Sequence, residues 1–157
     1  MKRSLIIYAL FVITSLTTSV SFAGDGMITK SSKFSVAETL DRLEKVLKKK
    51  GITIVTRWSH DAGANKNKIP LRPTELLLFG NPKLGSHMFT SNQTAGIDLP
   101  MKALAWEDEK GQVWLTYNDP AYIASRHKID NRPKIVKKMT GALNKLTNVA
   151  TGAAKPK

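Results

Sequence analysis

The side chains best suited to chemistry in this sequence are histidines and carboxylates, because the chain contains no cysteine. Its three histidines, His60, His87 and His127, lie too far apart in sequence to form a local metal-binding motif. The aspartates that a fold could bring beside them are Asp61, Asp98 and Asp119. Spacing alone supports no metal site, and a lone histidine most often has a structural or surface role, so we expect neither a metal nor a cofactor.

The easily recognised catalytic motifs are absent. The sequence has no G-x-G-x-x-G and no Walker P-loop, no G-x-S-x-G elbow and no H-E-x-x-H. The lack of cysteine also excludes a disulfide framework, a cysteine-ligated metal and a thiol nucleophile. Any chemistry is therefore confined to histidine, carboxylate and tyrosine groups, and we assign no catalytic residue.

Asn81 and Asp98 are predicted to lie at the same rim of a β-sheet. Asn81 follows a short buried strand that ends at Phe79, and Asp98 precedes a strand that begins at Met101. If these strands are antiparallel neighbours, the end of one lies beside the start of the other.

Tyr117 and His60 extend this rim under two further conditions. Tyr117 reaches it because the last two strands are predicted to pair with Lys102 opposite Tyr117. His60 reaches it if its strand runs parallel to the strand before Asn81, which the intervening stretch is long enough to permit. The ligand-binding candidates are therefore His60, Asn81, Asp98 and Tyr117. They suit a small polar or anionic ligand, or proton transfer between His60 and Asp98.

Three of these candidates also have a purely structural interpretation. Asn81 has the form of a helix N-cap before a proline. Asp98 could serve only to bond loop amides before Pro100, and Tyr117 could simply pack in the core.

The order of the predicted elements defines the fold class. Ser35 and Glu38 have capping-box spacing before an amphipathic helix over about 36–50, and Pro133 begins a long final helix. The other predicted elements are a short strand at 27–29, strands at 52–58 and 75–79, a short helix after Ser59, a helix over 82–91, a hairpin of strands 101–107 and 112–118, and a helical turn within 121–127. We predict an α+β two-layer sandwich, with a mainly antiparallel sheet, the long helices on one face and a β-α-β-β-β-β-α core.

The hairpin is expected to have one face against the helices and one face outside. A four-residue turn places Trp106 opposite Val113 and Leu104 opposite Leu115, and these side chains would meet the helices. The other face would carry Ala103, Ala105, Trp114 and Thr116. That face is too apolar to be left to water, which indicates a homodimer or a covering ligand.

The first residues have the pattern of a secretory signal peptide. Lys2 and Arg3 precede an apolar run over 5–20, and Ser21 and Ala23 supply small residues at a cleavage site. We expect export to a bacterial periplasm. The alternative is an uncleaved membrane anchor, although the run is marginal for a span of roughly 20 apolar residues.

Cleavage after Ala23 removes 23 residues and two positive charges from a chain of 157 residues with a net charge of +13, leaving 134 residues with +11. The predicted organisation is a signal peptide over 1–23, a lead-in over 24–33, one domain over 34–150 and a disordered tail over 151–157. No later segment is apolar enough to cross a bilayer. In an exported protein the excess charge favours weak contact with anionic envelope components rather than with nucleic acid.

Five short motifs occur in order along the chain. They are Leu71-x-Pro73-Thr74, Leu78-Phe79-Gly80-Asn81-Pro82-x-x-Gly85, Asp98-Leu99-Pro100, Ala105-Trp106-Glu107-Asp108, and Gly111-x-Val113-Trp114 with Tyr117. With His60 upstream and Arg126-His127 before the last helix, this series resembles the domain-of-unknown-function 302 family over roughly 34–146. The resemblance implies a compact α+β domain similar to the TATA-binding-protein fold, with dimers as an expectation, but no activity, substrate, cofactor or DNA binding.

These observations support one leading hypothesis and two alternatives. The leading hypothesis is an exported, dimeric small-ligand binding or accessory protein that uses the polar rim. One alternative is an enzyme in which His60 and Asp98 form an acid–base pair, with or without a metal. The other is a cationic protein that associates with the cell envelope.

Overall fold

The computed structural model describes residues 26–153 of the chain. The predicted signal peptide over 1–23 lies outside this range, as does most of the predicted tail over 151–157. Within the described part, the last helix continues to Thr151, which is fully buried. The predicted tail therefore begins too early, because Thr151 still belongs to the folded domain.

The elements confirm the predicted fold class. In chain order they are β1 (Met27–Ser32), α1 (Val36–Lys49), β2 (Thr53–Ser59), α2 (His60–Lys66), β3 (Thr74–Gly80), α3 (Pro82–Ser91), a 3-10 helix (Gln93–Ile97), β4 (Met101–Glu107), β5 (Val113–Asn118), α4 (Pro120–Arg126) and α5 (Pro133–Thr151). The strands form one sheet in the order β1-β5-β4-β3-β2, and every neighbouring pair is antiparallel. The protein is an α+β domain with the long helices α1 and α5 on one face of the sheet.

The hydrophobic core lies between the sheet and these two helices. α1 begins where the Ser35 hydroxyl accepts the backbone N–H of Glu38 at 3.2 Å, as the capping-box spacing predicts. It buries Leu40, Leu43 and Leu47 completely, and Leu143, Leu146 and Met139 of α5 complete the helical side of the core. The sheet contributes a matching set of buried side chains, which are Leu77, Phe79, Met101, Ala103, Ala105, Val113, Leu115 and Tyr117.

The hairpin pairs one residue away from the predicted register. Trp106 lies opposite Trp114 and Ala103 opposite Tyr117, so the predicted pairs of Trp106 with Val113 and of Lys102 with Tyr117 are wrong. The cause is the turn, in which Asp108 accepts the N–H groups of Lys110 and Gln112 on its Oδ1, and the Asp108 N–H donates to the Gln112 carbonyl at 2.9 Å. This closes a turn one residue longer than predicted, and a shift of one residue moves every side chain of a strand to the other face.

The shifted register exchanges the two faces of β4. Ala103 and Ala105 face the helices and are fully buried, whereas Leu104 and Trp106 face outward. The side chains on the sheet face that has no helices, here called the open face, are Met27, Thr29, Ser31, Thr56, Trp58, Thr74, Leu76, Leu78, Lys102, Leu104, Trp106, Trp114, Thr116 and Asn118. All three tryptophans of the sequence are therefore on the open face.

Lys30 attaches the edge strand β1 to α5. Its ammonium donates to the carbonyl oxygen and the Oδ1 of Asn144 at 3.0 and 2.7 Å, to the Oγ1 of Thr147 at 2.7 Å and to the Oδ1 of Asn148 at 2.6 Å. Burial lowers the pKa of Lys30 from 10.5 to about 8, because the charged form loses hydration. None of these four oxygens carries a negative charge that would offset this loss.

We predict that Lys30→Met changes how stability depends on pH. The pKa of Lys30 is about 8 in the folded chain and 10.5 in the unfolded chain, so the folded state binds fewer protons than the unfolded state between these pH values. Folding therefore becomes more favourable as the pH rises through this window. The free energy of unfolding of the natural chain should therefore rise relative to that of Lys30→Met across this window, as measured by urea unfolding. Lys138→Met, which removes an exposed lysine of α5, provides the matched control. Parallel profiles for the natural chain and Lys30→Met would contradict the prediction.

Candidate functional site

A cavity of about 300 Å³ lies where the start of β2 and the end of β3 meet α3 and α5. It is partly open to solvent. Its apolar lining consists of Ile52, Val55, Phe79, Leu84, Phe89, Leu99, Met101, Met139, Leu143 and Leu146, with Pro82, Pro100 and Ala142. Thr53, Asn81 and Ser86 are the polar residues on its wall, and no charged side chain lines it.

Small residues on the helices leave the space for this cavity. Gly85 of α3 and Ala142 of α5 both line it. A Cβ at Gly85 would lie 3.6 Å from the nearest atom of the Phe89 ring, which is an ordinary contact distance. The helix therefore accepts a larger side chain at Gly85, and that side chain would occupy the cavity.

Asn81 is the predicted site residue that lines the cavity. Its Oδ1 accepts the backbone N–H of Lys83 at 3.0 Å and caps α3, with Pro82 in the first helical position. Within residues 26–153 its Nδ2 has no hydrogen-bond partner. The structural interpretation of Asn81 is therefore correct for its oxygen, while its nitrogen remains available to a ligand.

Asp98 lies at the predicted rim but does not line the cavity. β3 and β4 are antiparallel with Phe79 opposite Met101, which confirms that Asn81 and Asp98 share this end of the sheet. The carboxylate of Asp98 lies against the side chain of His127, with Oδ2 at 2.6 Å from Nε2, and its Oδ1 is 3.3 Å from Nη1 of Arg126.

A chain of hydrogen bonds continues from Asp98 through His127. The Nδ1 of His127 lies 2.8 Å from the Oγ1 of Thr94, and that hydroxyl lies 2.8 Å from the Oδ1 of Asn92. An ionised Asp98 only accepts hydrogen bonds, so Nε2 of His127 donates to it. The Thr94 hydroxyl has a single proton, so it can donate to only one of its two neighbours, Oδ1 of Asn92 or Nδ1 of His127. The Nδ2 of Asn92 also donates to the carbonyl of His127 at 2.9 Å, so the group ties the 3-10 helix to the end of α4.

Tyr117 is a core residue. Its side chain is only 3% exposed, and burial raises the pKa of its phenol. The hydroxyl has no hydrogen-bond partner of acceptable geometry within residues 26–153. The ring lies 5.9 Å from Nζ of Lys30, on the β1 side of the sheet and away from the cavity lining.

His60 lies at the opposite end of the sheet from Asn81 and Asp98. β2 is antiparallel to β3, with Ser59 opposite Glu75, so the expectation of a parallel arrangement is wrong. The stretch between the two strands contains only the short helix α2 and returns the chain to the same end of the sheet. A strand of this length separates His60 from Asn81 by roughly 20 Å, so the predicted acid–base pair of His60 with Asp98 does not form.

Sequence reasoning left open that Asp98 could meet any of the three histidines but paired it with His60 rather than His127, and it missed the cavity itself. Asp98 and His127 are 29 positions apart, so no local spacing could have paired them. The cavity depends on how α3 and α5 pack, and no short motif predicts this packing. Within residues 26–153 there is no cluster of three or more histidine, aspartate or glutamate residues that could hold a metal ion. None of the helices in that same range is long and apolar enough to cross a membrane.

The protein is a two-layer α+β domain with a single five-stranded antiparallel sheet and an apolar cavity. Residues 28–146 match the family model for the domain of unknown function DUF302. The chain belongs to the DUF302 family, which confirms the resemblance seen in its motifs.

Similar proteins include curated relatives and a solved structure. The chain is 42% identical over 133 residues to "Fluoride-specific ion channel FluC 1" of Brucella suis biovar 1 (strain 1330), a match that covers 84% of this chain and 52% of the relative. The corresponding protein of Brucella abortus biovar 1 (strain 9-941) is also 42% identical over 133 residues, 49% of its length. The chain thus spans about half the length of these relatives. A crystal structure of an uncharacterised conserved DUF302 protein from Bacillus stearothermophilus has a TM-score of 0.65 at 18% identity, covering 84% of this chain and 100% of that one, and so shares the fold.

We predict that Asp98→Ala destabilises the domain. His127 is 6% exposed, and without Asp98 its Nε2–H would be buried without an acceptor, which costs about 2 kcal/mol of unfolding free energy. Urea unfolding followed by circular dichroism measures this loss. Asp130→Ala is the matched control, since Asp130 is exposed and its removal should change stability by less than about 0.5 kcal/mol. Equal stabilities of the two variants would contradict a structural role for Asp98.

Proposed function

We propose that this protein is exported and that its cavity binds a small, mainly apolar molecule. The observation that carries the proposal is the lining of the cavity, which combines aliphatic, aromatic and methionine side chains from two helices and two strands. Pockets of this size with apolar walls and few polar groups are the common form of small-molecule sites.

The size of the cavity limits the ligand. A cavity of about 150 Å³ lined by apolar side chains holds one benzene molecule, so 300 Å³ holds an apolar body of roughly twelve carbon atoms. A medium-length hydrocarbon chain or a two-ring aromatic body has this size.

The polarity of the cavity wall limits which polar groups the ligand can carry. The free Nδ2 of Asn81 can donate to one acceptor on the ligand, such as a carbonyl or carboxylate oxygen. A fully polar or anionic molecule would lose its hydration without gaining charged partners, which is costly. The proposed ligand therefore differs from the small polar ligand expected from the sequence, and Asn81 is the one sequence candidate that would touch it.

Binding is favoured over catalysis by the state of the histidines. Both ring nitrogens of His127 lie within hydrogen-bond distance of Asp98 and Thr94, so neither is free to exchange a proton with a substrate. His60 is exposed at the opposite end of the sheet and His87 is exposed on α3, and neither lines the cavity.

We predict that Gly85→Leu weakens binding of the apolar fluorophore N-phenyl-1-naphthylamine without unfolding the domain. The two-ring naphthyl group of this probe has the size of the cavity, and its phenyl group would lie at the side that is open to solvent. A leucine at this position would fill the cavity, and its better helix propensity adds up to about 1 kcal/mol to α3. Fluorescence titration should give saturable binding to the natural chain and a loss of affinity of at least about tenfold in Gly85→Leu, from the lost apolar contact.

Gly141→Leu is the matched control for this substitution. Gly141 is also a helical glycine, but it is exposed on α5 and nothing lies within 4 Å of its Cβ position. This variant should bind the fluorophore as the natural chain does. Saturated fatty acids should displace the fluorophore best near twelve carbons, and sodium fluoride should not displace it, because the cavity offers no charged partner to a strongly hydrated anion. Equal affinities of the two leucine variants would place the fluorophore elsewhere and refute the proposed site.

Export is supported by the arrangement of Lys2, Arg3, the apolar run over 5–20 and the small residues before Gly24. Expressed in a bacterium with an outer membrane, the full chain should be recovered from the periplasmic fraction with an N-terminus at Gly24. Intact mass measurement checks this result, and full-length protein in the inner membrane would instead favour the uncleaved anchor. The excess of lysine over acidic residues would add weak, salt-sensitive contact with anionic envelope surfaces.

A further inference from the structure

We propose that two copies of this chain associate through their open faces, sheet against sheet. This inference is independent of the ligand proposal, since the cavity lies on the helical side of the sheet. The open face carries seven large apolar side chains, which are Met27, Trp58, Leu76, Leu78, Leu104, Trp106 and Trp114. Trp58 is 61% exposed, and the rings of Trp106 and Trp114 stack with their centroids 6.4 Å apart. An antiparallel sheet face left to water is normally polar, so this composition points to a cover.

The polar atoms at the centre of the open face are already paired within the chain. The indole N–H of Trp106 donates to the Oγ1 of Thr116 at 2.9 Å, and Thr116 also lies 3.0 Å from the Oγ1 of Thr29. The indole N–H of Trp114 donates to the Oδ2 of Asp108 at 2.8 Å. A dry apolar partner can therefore cover Trp106 and Trp114 without leaving either of their indole N–H groups unsatisfied.

The low charge of the open face favours a second copy as the partner. Charged residues make up 24% of the sequence, yet Lys102 is the one charged residue of the open face. Its Nζ donates to the carbonyl oxygens of Asp98 and Pro100, at 3.1 and 3.3 Å, at the end of the sheet where β4 begins. An acidic partner would be attracted to the lysine-rich helices instead. In a two-fold contact each face meets its own copy, so a face with a single charged residue brings few like charges together in a protein of net charge +13.

The open face is large enough for such a contact. Five strands about 4.8 Å apart, with a rise of about 3.3 Å per residue, form a surface of roughly 24 by 20 Å. Two copies together would cover about 1,000 Å², which reaches the lower limit for a specific interface. The expected association is therefore reversible and in the micromolar range.

The tryptophans allow a direct test with the full chain as purified. Because every tryptophan lies on the open face, tryptophan fluorescence, excited selectively over that of the tyrosines, reports on this surface alone. Dilution from about 100 micromolar should shift the emission to longer wavelength and raise quenching by acrylamide, in step with dissociation seen by sedimentation velocity. Leu104→Glu should weaken association by at least about 100-fold, because it would bury unpaired like charges at the centre of the contact. Val149→Glu provides the control, since Val149 is 49% exposed on α5, on the far side of the helical layer.

Two outcomes would overturn the inference. One is a dimer that persists in Leu104→Glu while circular dichroism shows both variants folded, since the contact would then use another surface. The other is a monomer at every concentration. If such a monomer still protected its tryptophans from acrylamide, the cover would be a segment of the same chain rather than a second copy.

Discussion

The structure depends on the contact between α1 and the middle of the sheet. Ala103 and Ala105 of the central strand β4 are fully buried and small, so they allow the leucines of α1 to approach the sheet closely. With α5 beside α1, the two helices cover one face of all the central strands. Nothing in residues 26–153 covers the other face, and the corner that the two helices leave beside α3 becomes the cavity. The open face and the cavity are therefore both regions that α1 and α5 leave uncovered.

The elements that local chemistry determines could be predicted from the sequence. Asn81 and Pro82 predict the start of α3 because an N-cap and a proline act within one turn of helix, and the observed helix occupies the predicted range. The Ser35 cap and Pro133 likewise predict the starts of α1 and α5. The direction of β4 relative to β3 does not follow from the sequence, because the connection over 81–100 contains α3 and is long enough for a crossover to a parallel strand. The structure has the antiparallel pair.

The candidate site could be predicted only in part, because its residues are brought together by contacts between segments that are distant in sequence. Asn81 and Asp98 share a rim as predicted, but His60 lies at the other end, since α2 is too short to carry the chain across the sheet. The contact of Asp98 with His127 depends on α4 returning to the 3-10 helix. Neither arrangement has a signal within a window of a few residues, and both require the packed domain.

Two one-residue shifts gather the tryptophans on the open face. The turn stabilised by Asp108 directs Trp106 outward beside Trp114. In β2, a bulge between Ile54 and Thr56 reverses the alternation of side chains. Without the bulge, Trp58 would face the helices and Arg57 would face outward. With it, Arg57 reaches Asp41 of α1 and Glu75 of β3, each at 2.6 Å. The ion pairs of Arg57 on the helical side and the exposure of Trp58 on the open face therefore both result from the extra residue, Val55. A sequence change that removes the bulge would eliminate both features.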